Sequence, residues 1–198
     1  MNALAIFDLD DTLIDTTNTL VPLALEAVAR AIDRPVTSLD RAGKSIEEVL
    51  APAGALSDAQ RAAAAEAYYD PNVPALDPLP GAHATLRALQ GRVHLALLTR
   101  GAPLRQRNKV EASGLAPYFA AFIVCDITRG GSKGDDIRRL MERFRTPPER
   151  TVVIGDDKRD ELHHGETLGC ATIHVPTVAL ASIPSELEKM GYLSSDQG

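Results

Sequence analysis

The chain has 198 residues, 44% hydrophobic and 4% aromatic, with a formal net charge of −6. That suits one compact α/β domain, or a core with a small inserted domain, built on Leu, Ile, Val and Ala. The acidic balance excludes a broad basic face for nucleic acid, and no apolar run approaches the roughly 18 residues of a membrane span.

In chain order, the first apolar run is "ALAIF", ending at Asp8. From about Thr16 to Leu79 no strand is expected. "TLVPLALEAVARAID" and "SDAQRAAAAEAYYD" have helical spacing, "SLDRAGKSIEEVLA" reads as a third helix, and the Pro-rich "DPNVPALDPLPG" as a stiff linker. Four further apolar runs follow: "VHLALLT" to Thr99, "AFIVC" to Cys125, "TVVIG" to Gly155 and "ATIHV" to Val175. They are continuous rather than alternating, as expected of parallel strands covered on both faces. Helical segments precede the second run and follow the second, third and fourth. The pattern predicts a doubly wound, Rossmann-like parallel sheet of about five strands, with a small all-helical insertion after strand 1. The expected boundaries are 1–15 with 80–198 for the core and 16–79 for the insertion. Cys125 and Cys170 each end an apolar stretch and form no Cys-x-x-Cys pair. With no basic leader ahead of an apolar segment, a soluble cytoplasmic protein is expected.

Ligands of open parallel sheets bind beyond the carboxyl ends of the strands. There the sequence places Asp8, Asp10 and Asp11 after the first strand, Thr99 after the second, and Asp156, Asp157 and Asp160 after the fourth. Lys133 opens the helix after the third. Like charges this dense repel, so the cluster implies a cation, and hard oxygen ligands suit Mg²⁺. A phosphate held beside it would use Lys133 and Thr99. One carboxylate would be left to attack phosphorus and another to move a proton.

These motifs, "DLDDT", "LLTRG", "SKGDD" and "GDDKRD" in that order, resemble those of the haloacid dehalogenase-like hydrolases over nearly the whole chain. The helical insertion is similar to the first cap class, as in phosphoglycolate-phosphatase-like members. The resemblance implies Asp8 as nucleophile and Asp10 as general acid and then base, with its main-chain carbonyl on Mg²⁺. Thr99 and Lys133 would hold the phosphoryl group, and Lys133 would also restrain Asp8. Asp156 would be a direct ligand. The metal set is thus Asp8, Asp10, Asp156 and a second acid, either Asp157 or Asp160, with Asp160 favoured. Dehalogenases of this fold lack an acid at the position of Asp10, so its presence favours phosphoryl transfer.

The implied activity is Mg²⁺-dependent hydrolysis of a small phosphorylated metabolite by a monomer or homodimer. A phosphomutase and a non-catalytic phosphate-binding regulator are the alternatives. Thr12 reads as a structural hydroxyl, Arg100 as a surface arginine, and Lys109 as packing or surface charge. His83, His94 and His174 are isolated, and His163 and His164 read as solvated. Arg41, Lys44 and Ser45 are the polar candidates in the cap, with a solvated helix start as the equal alternative.

Overall fold

The computed structural model describes residues 2–42, 45–126, 130–175 and 177–193. The chain divides into two compact units, Met1–Ile14 with Pro74–Gly198, and Asp15–Val73.

The first unit is a five-stranded sheet. Its strands are β1 (Leu4–Phe7), β2 (His94–Gly101), β3 (Ala121–Asp126), β4 (Thr151–Gly155) and β5 (Ala171–His174), in the order β3-β2-β1-β4-β5. Every pairing is parallel, with Phe7 opposite Leu97 on one side and Ile154 on the other. This is the doubly wound arrangement expected from the unbroken apolar runs. Side chains alternate between the faces of a strand. Leu4, Ile6, Ala96, Leu98 and Val153 enter one core with Ile137 and Leu140 of α6 (Lys133–Phe144) and Leu162 of α7 (Glu161–Thr167). The alternate residues Ala5, Phe7, Leu95 and Leu97 are equally buried.

A connection that reads as a linker is partly tied to the sheet. Ile14 pairs with Pro78, the Leu79 amide donates to the Leu13 carbonyl at 2.8 Å, and the Leu76 amide donates to the Ala112 carbonyl at 3.3 Å. One element went unforeseen: α8 (Ile183–Lys189), which buries Ile183 and Leu187.

The second unit holds α1 (Thr16–Ile32), α2 (Ile46–Leu50) and α3 (Asp58–Tyr68). Its apolar core joins Leu25, Val28 and Ile32 of α1 to Ile46, Val49 and Leu50 of α2 and Ala64 of α3. Gln60 of α3 donates to the carbonyl of the buried Ile32 at 2.9 Å, satisfying one acceptor left open at the end of α1. The third expected helix is much shorter than "SLDRAGKSIEEVLA". Asp40 closes a turn by accepting from the Ala42 amide, and helix starts only where Ser45 and Glu48 form a reciprocal capping box. Among the described residues, no helix is long and apolar enough to cross a membrane.

Candidate active site

The turn after β1 is built to present carboxylates. The Asp8 amide continues the ladder by donating to Ile154 at 2.9 Å, and Leu9, Leu13 and Ile14 are buried beneath the turn. Asp11 takes a left-handed conformation (φ 55°), which Asp tolerates better than most residues. Its amide donates to Ile14 at 2.8 Å and closes the loop. With Leu9 anchored in the core, Asp8 and Asp10 are held at the carboxyl edge of the sheet. Thr12 is fully buried and donates to Asp156 Oδ1 at 3.2 Å, which links the first motif to the fourth.

Lys133 begins α6 and is buried. Its Nζ lies 2.8 Å from Asp8 Oδ1, 2.7 Å from Glu161 Oε2 and 3.2 Å from Asp160 Oδ2. One carboxylate oxygen each from Asp8, Asp156 and Glu161 lie within 4.8 Å of one another. Burial, with Glu161 and Asp10 adding repulsion, raises the Asp8 carboxyl from 3.8 to about 8 against the opposing pull of Lys133. Burial and repulsion from Glu161 and Asp11 raise Asp156 to about 6. Burial opposes the charge on Lys133, but Asp8, Glu161 and Asp160 outweigh it and hold the ammonium above its ordinary value. Among the described residues, the three carboxylates of Asp8, Asp156 and Glu161 outnumber the one ammonium, Lys133, that lies against them, which leaves a surplus of negative charge there. That donor set fits a hard divalent cation.

Among the described residues, Asp160, the second acid favoured by sequence, is not the one grouped with Asp8 and Asp156. Asp160 stands at the N-cap position of α7, but its side chain does not cap the helix and turns instead to Arg100, accepting from Nη2 at 2.9 Å and Nε at 3.2 Å. Burial pushes its carboxyl up, but bonds from Arg100 and Lys133 prevail and hold it below its ordinary value. Asp157 accepts from the Arg159 amide at 2.8 Å. The acid beside Asp8 and Asp156 is Glu161, which also accepts from the Asp157 amide at 2.8 Å. Gly155 makes room for it: a Cβ there would sit 2.2 Å from Glu161 Oε1. A glycine ending a buried strand, six residues before an acid at a helix start, is the signal that sequence offered.

Lys109 is also not at the surface. It is buried and lies 2.7 Å from Asp10 Oδ1, while Gln106 donates to Asp10 Oδ2 at 2.7 Å. Thr99 is buried, 3.5 Å from Asp10 Oδ2 and 2.8 Å from Gln106 Nε2. Asp8, Asp10, Thr99 and Lys133 thus occupy one connected network. Arg100 belongs to it through Asp160. His164 approaches Asp160 only to 3.8 Å and His163 is exposed. His174 Nε2 lies 3.1 Å from the Asp156 carbonyl. His83 pairs with the Tyr118 hydroxyl at 3.1 Å, and His94 stacks on Phe144. In the helical unit Arg41 is exposed, the Ser45 hydroxyl caps α2, and Lys44 lies outside the described residues.

A family model described as haloacid dehalogenase-like hydrolase matches residues 3–162. A phosphoglycolate phosphatase from Agrobacterium fabrum is 32% identical over 180 positions, covering 82% of this chain and 76% of the relative. A glyceraldehyde 3-phosphate phosphatase from Pyrococcus furiosus is 23% identical over 186 positions, covering 84% and 78%. The crystal structure of a predicted phosphoglycolate phosphatase from Haemophilus somnus superposes with a TM-score of 0.72 at 17% identity, covering 93% of this chain and 97% of that one.

Proposed function

Since the chain belongs to the haloacid dehalogenase-like hydrolases and, like its relatives named phosphatases, is a phosphoric monoester hydrolase, we propose that it cleaves a small phosphorylated metabolite through an aspartyl-phosphate on Asp8. The observation that carries this reading is the Asp8 carboxylate, held 2.8 Å from the buried Lys133 at the edge of the sheet, with Asp10 two residues on. Lys133 holds one oxygen of Asp8, which leaves the other to attack phosphorus. As that bond forms, the bond from phosphorus to the ester oxygen breaks, and Asp10 donates a proton to the departing oxygen. Asp10 then takes a proton from water, whose oxygen attacks phosphorus, releasing phosphate and restoring the Asp8 carboxylate. Thr99 and Lys133 hold the phosphoryl oxygens through both steps, where fixed donors stabilise charge without reorganising.

The residues that would hold Mg²⁺ are Asp8, Asp156 and Glu161, with the main-chain carbonyl of Asp10. When bound, the ion neutralises clustered carboxylates and phosphoryl oxygens and orients the ester. Asp160 has a different part, holding Arg100 and Lys133 in place. The helical unit Asp15–Val73 serves as the cap that selects the leaving group. Retention of Asp10 supports ester cleavage, because an alkoxide leaves poorly without a proton whereas a halide needs none.

The test is turnover of 4-nitrophenyl phosphate with Mg²⁺, in excess chelator, and with Asp8→Asn. Release of nitrophenol that needs both Mg²⁺ and Asp8 is expected. Full turnover in chelator, or by Asp8→Asn, would overturn the proposal.

A further inference from the structure

The helix after the second motif, α5 (Pro103–Ala112), is poor in apolar residues, yet it buries Gln106 and Lys109 along with Val110. Residues three apart lie on one helical face, and this face looks onto the first motif. Gln106 Nε2 and Lys109 Nζ grip the two oxygens of Asp10, each at 2.7 Å. The Gln106 amide also donates to the Arg100 carbonyl at 2.7 Å and lies 2.8 Å from the Thr99 hydroxyl.

Two details argue against simple packing. The Oε1 of Gln106 is buried and has no hydrogen-bond partner among the described residues. Burying an acceptor this way is costly, and an apolar side chain of similar size would avoid that cost, so the residue is suited to this place by its N–H groups. The second detail is Gly101, at φ +152°, where an added Cβ would lie 3.0 Å from Gln106 Nε2. Glycine at the end of β2 leaves room for the amide to cross to Asp10.

We infer that Gln106 and Lys109 are positioning residues that lock the Asp10 carboxylate by both its oxygens, with the second N–H of Gln106 anchored on the Arg100 carbonyl. The inference rests on Asp10 moving the proton, as proposed above. A carboxylate held at one oxygen still swings about its terminal bond, and held at both it does not. Each oxygen can accept more than one hydrogen bond, so the lock leaves room for the ester oxygen or water. Neither residue touches the substrate.

The test uses three aryl phosphates with increasingly basic leaving groups: 4-nitrophenyl, phenyl and 4-methoxyphenyl. The variants are Lys109→Met, Gln106→Leu and the conservative Lys109→Arg, each in the full chain with Mg²⁺. The parameter kcat/KM reports transfer to Asp8, whereas kcat also includes release from it. Misplacing a reacting group by about 1 Å can cost ~10²-fold. Lys109→Met and Gln106→Leu should therefore lose ~10–100-fold in kcat/KM on the two poorer leaving groups and far less on 4-nitrophenyl phosphate. With 4-nitrophenyl phosphate, kcat and KM should fall together, because the phosphorylated enzyme accumulates. Lys109→Arg should recover most of the loss. A purely structural pair would instead lower kcat/KM equally on all three esters, with no dependence on leaving group. That result, or no loss in either variant, overturns the inference. Wild-type protein inert towards all three esters would instead sink the phosphatase reading, and the inference with it.

Discussion

Asp156→Asn separates the energetic cost of the carboxylate cluster from its use. The Asn keeps the shape and an oxygen to accept from Thr12, which donates to Asp156 Oδ1 at 3.2 Å. It removes one negative charge beside Glu161 and Asp11. In the wild type those neighbours and burial raise the carboxyl from 3.8 to about 6. That shift corresponds to about 3 kcal/mol of unfavourable ionisation at pH 8. Asp156 is only half-buried, so screening by solvent reduces this to about 1–2 kcal/mol. The sign follows from proton binding. Between 3.8 and about 6 the folded chain holds the proton more tightly than the unfolded chain, so stability is lost as pH rises through that window. The Asn variant carries no such loss. In chelator at pH 8 it should melt about 2–8 °C above wild type, and the gain should shrink towards zero near pH 4, where Asp156 is itself neutral. Adding Mg²⁺ should raise the melting temperature of wild type and leave the variant nearly unmoved. Differential scanning calorimetry at the two pH values, with chelator and with Mg²⁺, reads all of this. A variant that melts below wild type in chelator at pH 8, or keeps the full Mg²⁺ response, refutes the reasoning.

Three further outcomes are expected. Asp10→Asn should give a burst of nitrophenol from 4-nitrophenyl phosphate followed by a stall, since general acid-base help is worth ~10²–10⁴-fold and the second step needs it most; rapid-mixing absorbance measures the burst, and equal slowing without one removes Asp10 from proton transfer. Glu161→Gln should weaken Mg²⁺ binding ~10–100-fold by calorimetric titration, while Asp160→Asn, which leaves the three-carboxylate cluster intact, should weaken it far less; the reverse ranking restores Asp160 as the metal acid. Replacing residues 16–73 by a short Gly/Ser bridge should leave a sheet that melts cooperatively, because Ile14 and Pro78 already pair across the gap; circular dichroism of that shortened chain checks it, and an unfolded product makes the helical unit part of the core.

Much of the fold was legible because parallel strands buried on both faces leave unbroken apolar runs. Four of the site motifs were legible for a related reason, since such a sheet sends its carboxyl ends to one edge. What escaped depends on the chain meeting itself. Residues 74–79 carry proline and look like a linker, but their pairing with Leu13 and Ile14 comes from distant chain. Asp160 and Glu161 are adjacent at a helix start, where one residue turns a side chain by about 100°. Spacing alone could not say which one faces Asp8, and the decision lies in the room left by Gly155. Lys109 reads as packing or surface charge, and its burial against Asp10 comes from a residue 99 positions away in the chain. Helical spacing runs through "SLDRAGKSIEEVLA", but the turn at Asp40 and the capping box at Ser45 hold the start of α2 back to Ile46.

The account turns on Asp8 carrying the phosphoryl group between substrate and water. The direct measurement is to mix the Mg²⁺-loaded protein with 4-nitrophenyl phosphate, quench in acid within the first turnover, and map the peptides by mass. The account predicts one phosphoryl group on the peptide containing Asp8, labile to hydroxylamine, lost on chasing, and missing in Asp8→Asn. Steady turnover with no phosphoryl group on Asp8 at any quench time, the peptide being fully recovered, would contradict it.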